Sequence, residues 1–190
     1  AGVTGSSHAI AVLSGTAGLH VALAAIGVGR DDLVVLPSFT FIASANAIAY
    51  CGASPWLFDV TEESWTIDPA LLATHLAEET YQKDECLIHS KTGRRVAAVM
   101  PVYTIGMPAN MDSILKIASE YNLPVIADGA AALGATFKGR SLGSFGGDLT
   151  VFSFNGNKTV TAGGGGAVVG ENADLIKLVR HLSTTARVGE

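Results

Sequence analysis

A chain of 190 residues can bury one core of ordinary size, and 48% hydrophobic against 15% charged residues suggests strands buried on both faces or a surface meant for a partner. With 12 basic and 17 acidic side chains, a net charge of −5 and no basic stripe interleaved with aromatics, the composition argues against a nucleic-acid partner. No apolar run reaches the roughly 18 residues of a membrane-spanning helix, two cysteines (Cys51 and Cys86) are too few for a disulfide framework, and AGVTGSSHAI at the start lacks the charged and apolar stretches of a secretory leader, so the cytoplasm is the expected compartment.

Along the chain, short apolar runs alternate with segments of helical period. Residues 16–28 place Leu19, Leu23 and Ile26 at helical spacing, and Gly27 and Gly29 end the helix. LVVLP (33–37) is a continuous apolar run, as in a buried strand. Residues 40–50 form a helix closed by Gly52, and PWLFDV (55–60) a strand. The helix over 68–79 opens with Asp68 as N-cap and Pro69 at the first helical position. Residues 80–95 are polar and mixed, which predicts a loop or a small hairpin, with Lys91, Arg94 and Arg95 as a solvated basic cluster. Strands over 96–102 and 124–128 flank a helix over 110–122. Two more strands, 147–154 and 165–170, precede a last helix over 171–182. Such alternation, with strands apolar throughout, predicts an undivided α/β domain with a mostly parallel central sheet and helices on both faces.

In a sheet of this kind a ligand sits beyond the carboxyl ends of the strands, and three features would gather there. The first is SGTAGLH (14–20). A Ser-Gly-Thr turn entering a helix points free N–H groups and the positive dipole end outward, a cup for phosphate, or else is an ordinary capped helix start. The second is Asp128, ending PVIAD among glycine and alanines. It either caps the next segment or meets a cationic partner. The third is Lys158, which follows a strand and precedes Gly163 to Gly166; a desolvated lysine forms a Schiff base with a carbonyl, and glycines permit close backbone approach. A phosphate cup, a carboxylate for a ring nitrogen and a Schiff-base lysine are together what pyridoxal phosphate requires.

SGTAGLHVAL, PSFTFIASANAI, GASPWLFDV, IDPALL, PANMDSI, VIADGAAALGATFKGRSLGSFG, FSFNGNKTVTAGGGGAVV and HLSTTAR run through nearly the whole chain. As a set they resemble the large domain of the DegT/DnrJ/EryC1/StrS family of pyridoxal-phosphate-dependent nucleotide-sugar aminotransferases. The resemblance implies a three-layer fold type I large domain spanning residues 1–190, with the family's N-terminal arm and C-terminal small domain missing. It implies that Lys158 carries the cofactor and moves the proton, that Asp128 pairs with the pyridine nitrogen, that Thr16, Ala17 and Ser153 bind the phosphate, and that Phe41 stacks on the ring unless it is plain core packing. Glutamate as amino donor, a nucleotide-diphosphate 4-keto-6-deoxy sugar as acceptor and a homodimer are implied too. The loop over 83–102 and SFNGNK resemble the branch that aminates C4 for surface polysaccharides, of the legionaminic acid or perosamine type.

Three positions depart from the family pattern: Ala127 and Ala131 stand where polar residues are frequent, and Tyr103 stands where histidine is usual. They put substrate preference in question, and they lend weight to a non-catalytic relative of the same fold. A sugar 3-dehydratase of this fold has histidine where Lys158 stands. A dinucleotide-binding domain would need GxGxxG after its first strand, whereas GGGG comes late in this chain. Asn155 and Asn157 bind substrate or only shape the turn that presents Lys158.

Overall fold

The computed structural model describes residues 2–145 and 147–186; Gly146 of SLGSFG and Arg187 of HLSTTAR lie outside the described residues. Apolar runs become strands and helical-period runs become helices in the order β1 (His8–Val12), α1 (Gly15–Ala25), β2 (Leu33–Pro37), α2 (Ile42–Tyr50), β3 (Ser54–Phe58), α3 (Pro69–Glu79), β4 (Thr80–Lys83), β5 (Cys86–His89), β6 (Arg95–Val99), α4 (Met111–Glu120), β7 (Ile126–Asp128), β8 (Thr136–Phe137), β9 (Arg140–Ser141), β10 (Leu149–Ser153), β11 (Gly166–Gly170) and α5 (Ala173–Ser183). Asp68 caps α3 as expected, its carboxylate accepting from the Ala70 N–H at 2.7 Å.

Strands β3, β2 and β6 are parallel neighbours, as are β7 and β10. The two groups join where Val99 pairs with Val125 and Val102 with Asp128, both in parallel. On the far side β11 runs antiparallel to both β10 and β1. Only β11 is reversed in the order β3-β2-β6-β7-β10-β11-β1, so the carboxyl ends of β1, β2, β6, β7 and β10 share one edge.

Period-two alternation explains the two cores. In β2, Val34 and Leu36 face a cluster with Leu19, Leu23, Ile48 and Val179, while Leu33 and Val35 face one with Leu72, Leu76, Met111 and Ile114. Helices α1, α2 and α5 therefore cover one face, and α3 and α4 the other, giving the three layers expected from the alternation.

Residues 80–95 form the hairpin β4–β5, docked antiparallel on the first half of β6. The basic cluster beside it is only partly a solvated loop. The Arg95 guanidinium forks onto Asp32 at 2.6 and 2.9 Å and reaches the Gly27 carbonyl at 2.7 Å. Arg94 donates to the Asp32 carbonyl at 2.8 Å and to Ser54 Oγ at 3.0 Å. Asp32 is buried and needs such a partner, so these arginines tie the hairpin to the turn before β2. Lys91 does remain exposed.

Two features went unread in the sequence: strand β1 and the small hairpin β8–β9. In β1 only Ile10 is buried, and Ala9 and Ala11 have little strand propensity.

Candidate active site

The loops after β1, β2, β6, β7 and β10 meet at the shared edge and enclose two adjoining cavities. One, of about 310 Å³, runs from Ser14, Gly15, Thr16 and Ser153 to Phe41, Asp128 and Lys158. The other, of about 460 Å³, shares Phe41, Asp128, Ala130, Asn157 and Lys158, and adds Thr40, Tyr103, Thr104, Ile105 and Ala131. Both have the size of small-molecule sites. Among the described residues, Asp128 and Lys158 are the only charged ones on these walls.

Ser14 is the N-cap of α1, and its hydroxyl accepts from the Ala17 N–H at 3.1 Å. The capped helix start and the cup are thus one object. Thr16 lies on the cavity wall with the helix N-terminus behind it, whereas Ala17 is not a wall residue and its N–H is already engaged by the cap. Opposite stands Ser153 at the end of β10; its hydroxyl accepts from the Asn155 N–H at 3.4 Å, which leaves its own proton to donate. Gly15 makes this closeness possible, since a Cβ there would lie 2.9 Å from Ser153 Cβ.

Asp128 is 5% exposed. Ser44 Oγ donates to its Oδ2 at 2.7 Å, and the Ala130 N–H donates to its Oδ1 at 3.0 Å. Burial pushes the carboxyl above its ordinary range; the Ser44 hydroxyl, the Ala130 N–H and the Lys158 charge each pull it back. Asp128 does cap the turn that follows it, and it also lines both cavities.

Lys158 sits in the turn after β10, which closes when its N–H donates to the Asn155 carbonyl at 3.0 Å. Its Nζ stands 5.9 Å from the centroid of the Phe41 ring. Phe41, at the N-cap of α2, is 72% exposed, which removes plain core packing as its role. The Asn155 amide donates to Asn157 Oδ1 at 3.1 Å, so the pair at least shapes the turn, and both side chains reach the smaller cavity.

The glycine run divides its work. Gly163 and Gly165 adopt φ of 78° and 91°, and Gly164 and Gly165 line the smaller cavity. Gly166 faces protein: a Cβ there would lie 2.7 Å from the Phe152 carbonyl oxygen and 3.0 Å from the Gly15 nitrogen. Gly166→Ala is therefore expected to cost about 2 kcal/mol or more in denaturant unfolding, because backbone cannot yield as a side chain does.

All six residues singled out in the sequence fall at this edge, with Ala17 set behind the wall. The sequence reading missed Ser44, a fully buried hydroxyl on α2, and its neighbour Thr40, whose Oγ1 lies 2.8 Å from Ser44 Oγ. A polar residue within apolar FIASANAI was the available signal. Among the described residues there is no group of three or more His, Cys, Asp or Glu able to hold a metal, and no helix long and apolar enough to cross a membrane.

The chain is 43% identical over 178 residues to the GDP-perosamine synthase of Caulobacter vibrioides, covering 94% of this chain and 43% of that protein. Crystal structures of 3-amino-5-hydroxybenzoic acid synthase and of DesI in the presence of its TDP-sugar product superpose with TM-scores of 0.85 and 0.81 at 32% and 35% identity. They match over 99% and 95% of this chain and 45% and 41% of theirs, so the chain spans less than half the length of these relatives. The DegT/DnrJ/EryC1/StrS aminotransferase family matches residues 1–189, so the chain belongs to that family.

Proposed function

We propose that residues 1–190 are the cofactor-binding large domain of a pyridoxal-phosphate-dependent aminotransferase that moves an amino group from glutamate to a nucleotide-linked 4-keto-6-deoxy sugar. The observation that carries this reading is the buried Asp128 carboxylate and the Lys158 amine on the wall common to two cavities, one of which ends in a helix N-terminus and a free hydroxyl. Those residues fit the group. The smaller cavity gives the phosphate the Thr16 end of α1 and the Ser153 hydroxyl, with Ala17 contributing through the helix dipole or by exchange with its cap. Phe41 offers a ring face, Asp128 a carboxylate for the pyridine N–H, and Lys158 an amine for covalent attachment.

Bound there, pyridoxal phosphate supplies an electron sink for the carbon that carries the amine. The chain's own part is placement and proton movement. Asp128 holds the ring-nitrogen proton. Lys158 Nζ would hold the cofactor and would move the proton at the substrate carbon. The larger cavity, walled by Phe39, Val102, Ile105 and Ala131, receives the sugar. Small Ala131 leaves room there rather than a polar contact. An acceptor of nucleotide-sugar type is supported by the similarity to a GDP-perosamine synthase and to DesI with its TDP-sugar product. Lys158 in place of histidine speaks against the dehydratase reading, and the intact acid and lysine speak against a non-catalytic relative.

A homodimer of the full-length protein, working in the cytoplasm, belongs to the same proposal. Its support is the apolar rim of the cleft, where Leu13, Phe41 and Ile105 are 89%, 72% and 91% exposed. The deciding experiment adds pyridoxal phosphate to the full-length protein. A yellow absorbance band is expected, bleached by glutamate and restored by one member of a panel of UDP- and GDP-linked keto-sugars. A protein that stays colourless with excess cofactor sinks the reading.

A further inference from the structure

Asp128 is held from the α2 side by two hydroxyls in series. Ser44 Oγ lies 2.7 Å from Asp128 Oδ2, and Thr40 Oγ1 lies 2.8 Å from Ser44 Oγ. An ionised carboxylate only accepts, so Ser44 must spend its single proton on Asp128. Its remaining lone pairs then accept from Thr40, whose only other acceptor among the described residues is the Phe41 carbonyl oxygen at a longer 3.4 Å. Ser44 is fully buried, so no water competes for that proton, while Thr40 reaches the wall of the larger cavity.

We infer that Thr40 and Ser44 form a hydroxyl relay that holds the Asp128 carboxylate in place and charged, which makes Ser44 a positioning residue for that acid. Nothing else on α2 facing Asp128 bears a charge. From the turn after β10 the only charge acting on it is the Lys158 ammonium, and from the turn after β7 the Ala130 N–H supplies the second donor. The Tyr103 backbone N–H donates to the Asp128 carbonyl, and burial raises the Tyr103 phenol far above its ordinary range, so it adds no charge. Against the cost of burial the acid therefore has two donors and one cation, and the Ser44 hydroxyl, at 2.7 Å against 3.0 Å for the Ala130 N–H, is the nearer donor.

The value of this arrangement to catalysis rests on the proposed function, because a ring nitrogen is held protonated only by a charged acid. The relay itself does not. The experiment uses the full-length protein freed of cofactor, with the Asp128 protonated-carboxyl infrared band identified by its loss in Asp128→Asn and followed against pH. In Ser44→Ala the midpoint is expected to rise by about one pH unit or more. Thr40→Val, which keeps the direct donor, is expected to raise it by less. An unchanged midpoint in Ser44→Ala overturns the inference; if that variant does not fold, an unchanged midpoint in Thr40→Val does so. Titration with pyridoxal phosphate runs in parallel. Affinity about tenfold weaker in Ser44→Ala is expected, matching the loss of one charge-assisted contact. A wild-type protein that takes up no pyridoxal phosphate refutes the proposed function, while the infrared midpoint still decides the relay.

Discussion

Lys158→Ala is expected to lower turnover of the proposed full-length aminotransferase by at least about 10⁴-fold, combining the loss of proton transfer with the loss of covalent attachment. Among the described residues no other amine lies on the walls of either cavity, so none of them can substitute. The fold should not notice. Lys158 is half-buried in a turn, its backbone N–H still reaches the Asn155 carbonyl in the variant, and it belongs to neither core cluster. A stability change within about 0.5 kcal/mol is expected for such a site. Borohydride followed by mass spectrometry separates the two lost roles: wild type retains the added mass of pyridoxal phosphate, and the variant does not. Lys158→Arg makes the argument stricter. It keeps a cation near Asp128 and Phe41 but has neither a nucleophilic amine nor a proton to give. Its turnover should fall as far as that of Lys158→Ala. Turnover within tenfold of wild type in either variant would show that the amine does no chemistry.

Most of this cleft was legible because its residues punctuate the sequence. Asp128 ends an apolar run, Lys158 interrupts two, and Ser14-Gly15-Thr16 precedes a helix, so each marks the carboxyl side of a strand. Parallel strands then bring such marks to one edge regardless of their separation along the chain. Two kinds of information lay elsewhere. Ser44 acts through a contact 84 residues away in sequence, and an isolated serine on a helix gives no hint of its partner. Arg94 and Arg95 read as solvated because charge runs usually are, yet a buried Asp32 more than 60 residues earlier recruits them. The glycine run was read for closeness to a ligand. Its tightest approach, at Gly166, is instead to the backbone of β10 and the start of α1. Strand β1 escaped for a different reason: two alanines in five residues leave its pattern too faint, and its pairing with β11 fixes it from outside.

Asp128→Asn is expected to separate function from stability. Turnover should fall by about 10³-fold or more, since an amide cannot hold the ring-nitrogen proton against loss during the reaction. The cofactor-free protein, by contrast, should melt no lower than wild type at neutral pH. Asparagine is nearly the same shape; its oxygen still accepts from the Ala130 N–H, and its amide can donate to Ser44 Oγ. What it removes is a buried charge. Burial raises the folded Asp128 carboxyl above its ordinary value. As pH climbs from that ordinary value, the unfolded chain therefore gives up its proton first, and the folded state holds more protons than the unfolded one. Stability then declines with rising pH until the folded group has ionised, and stays at the lower level beyond. Wild type bears this cost at neutral pH and Asp128→Asn does not. The two melting curves should consequently converge as pH falls below the ordinary carboxyl range, where wild type is protonated as well. A variant that melts lower than wild type by the same margin at every pH would make Asp128 a structural anchor. Convergence toward acid, together with the lost turnover, identifies a carboxylate that is kept charged at the expense of the fold for the sake of the reaction.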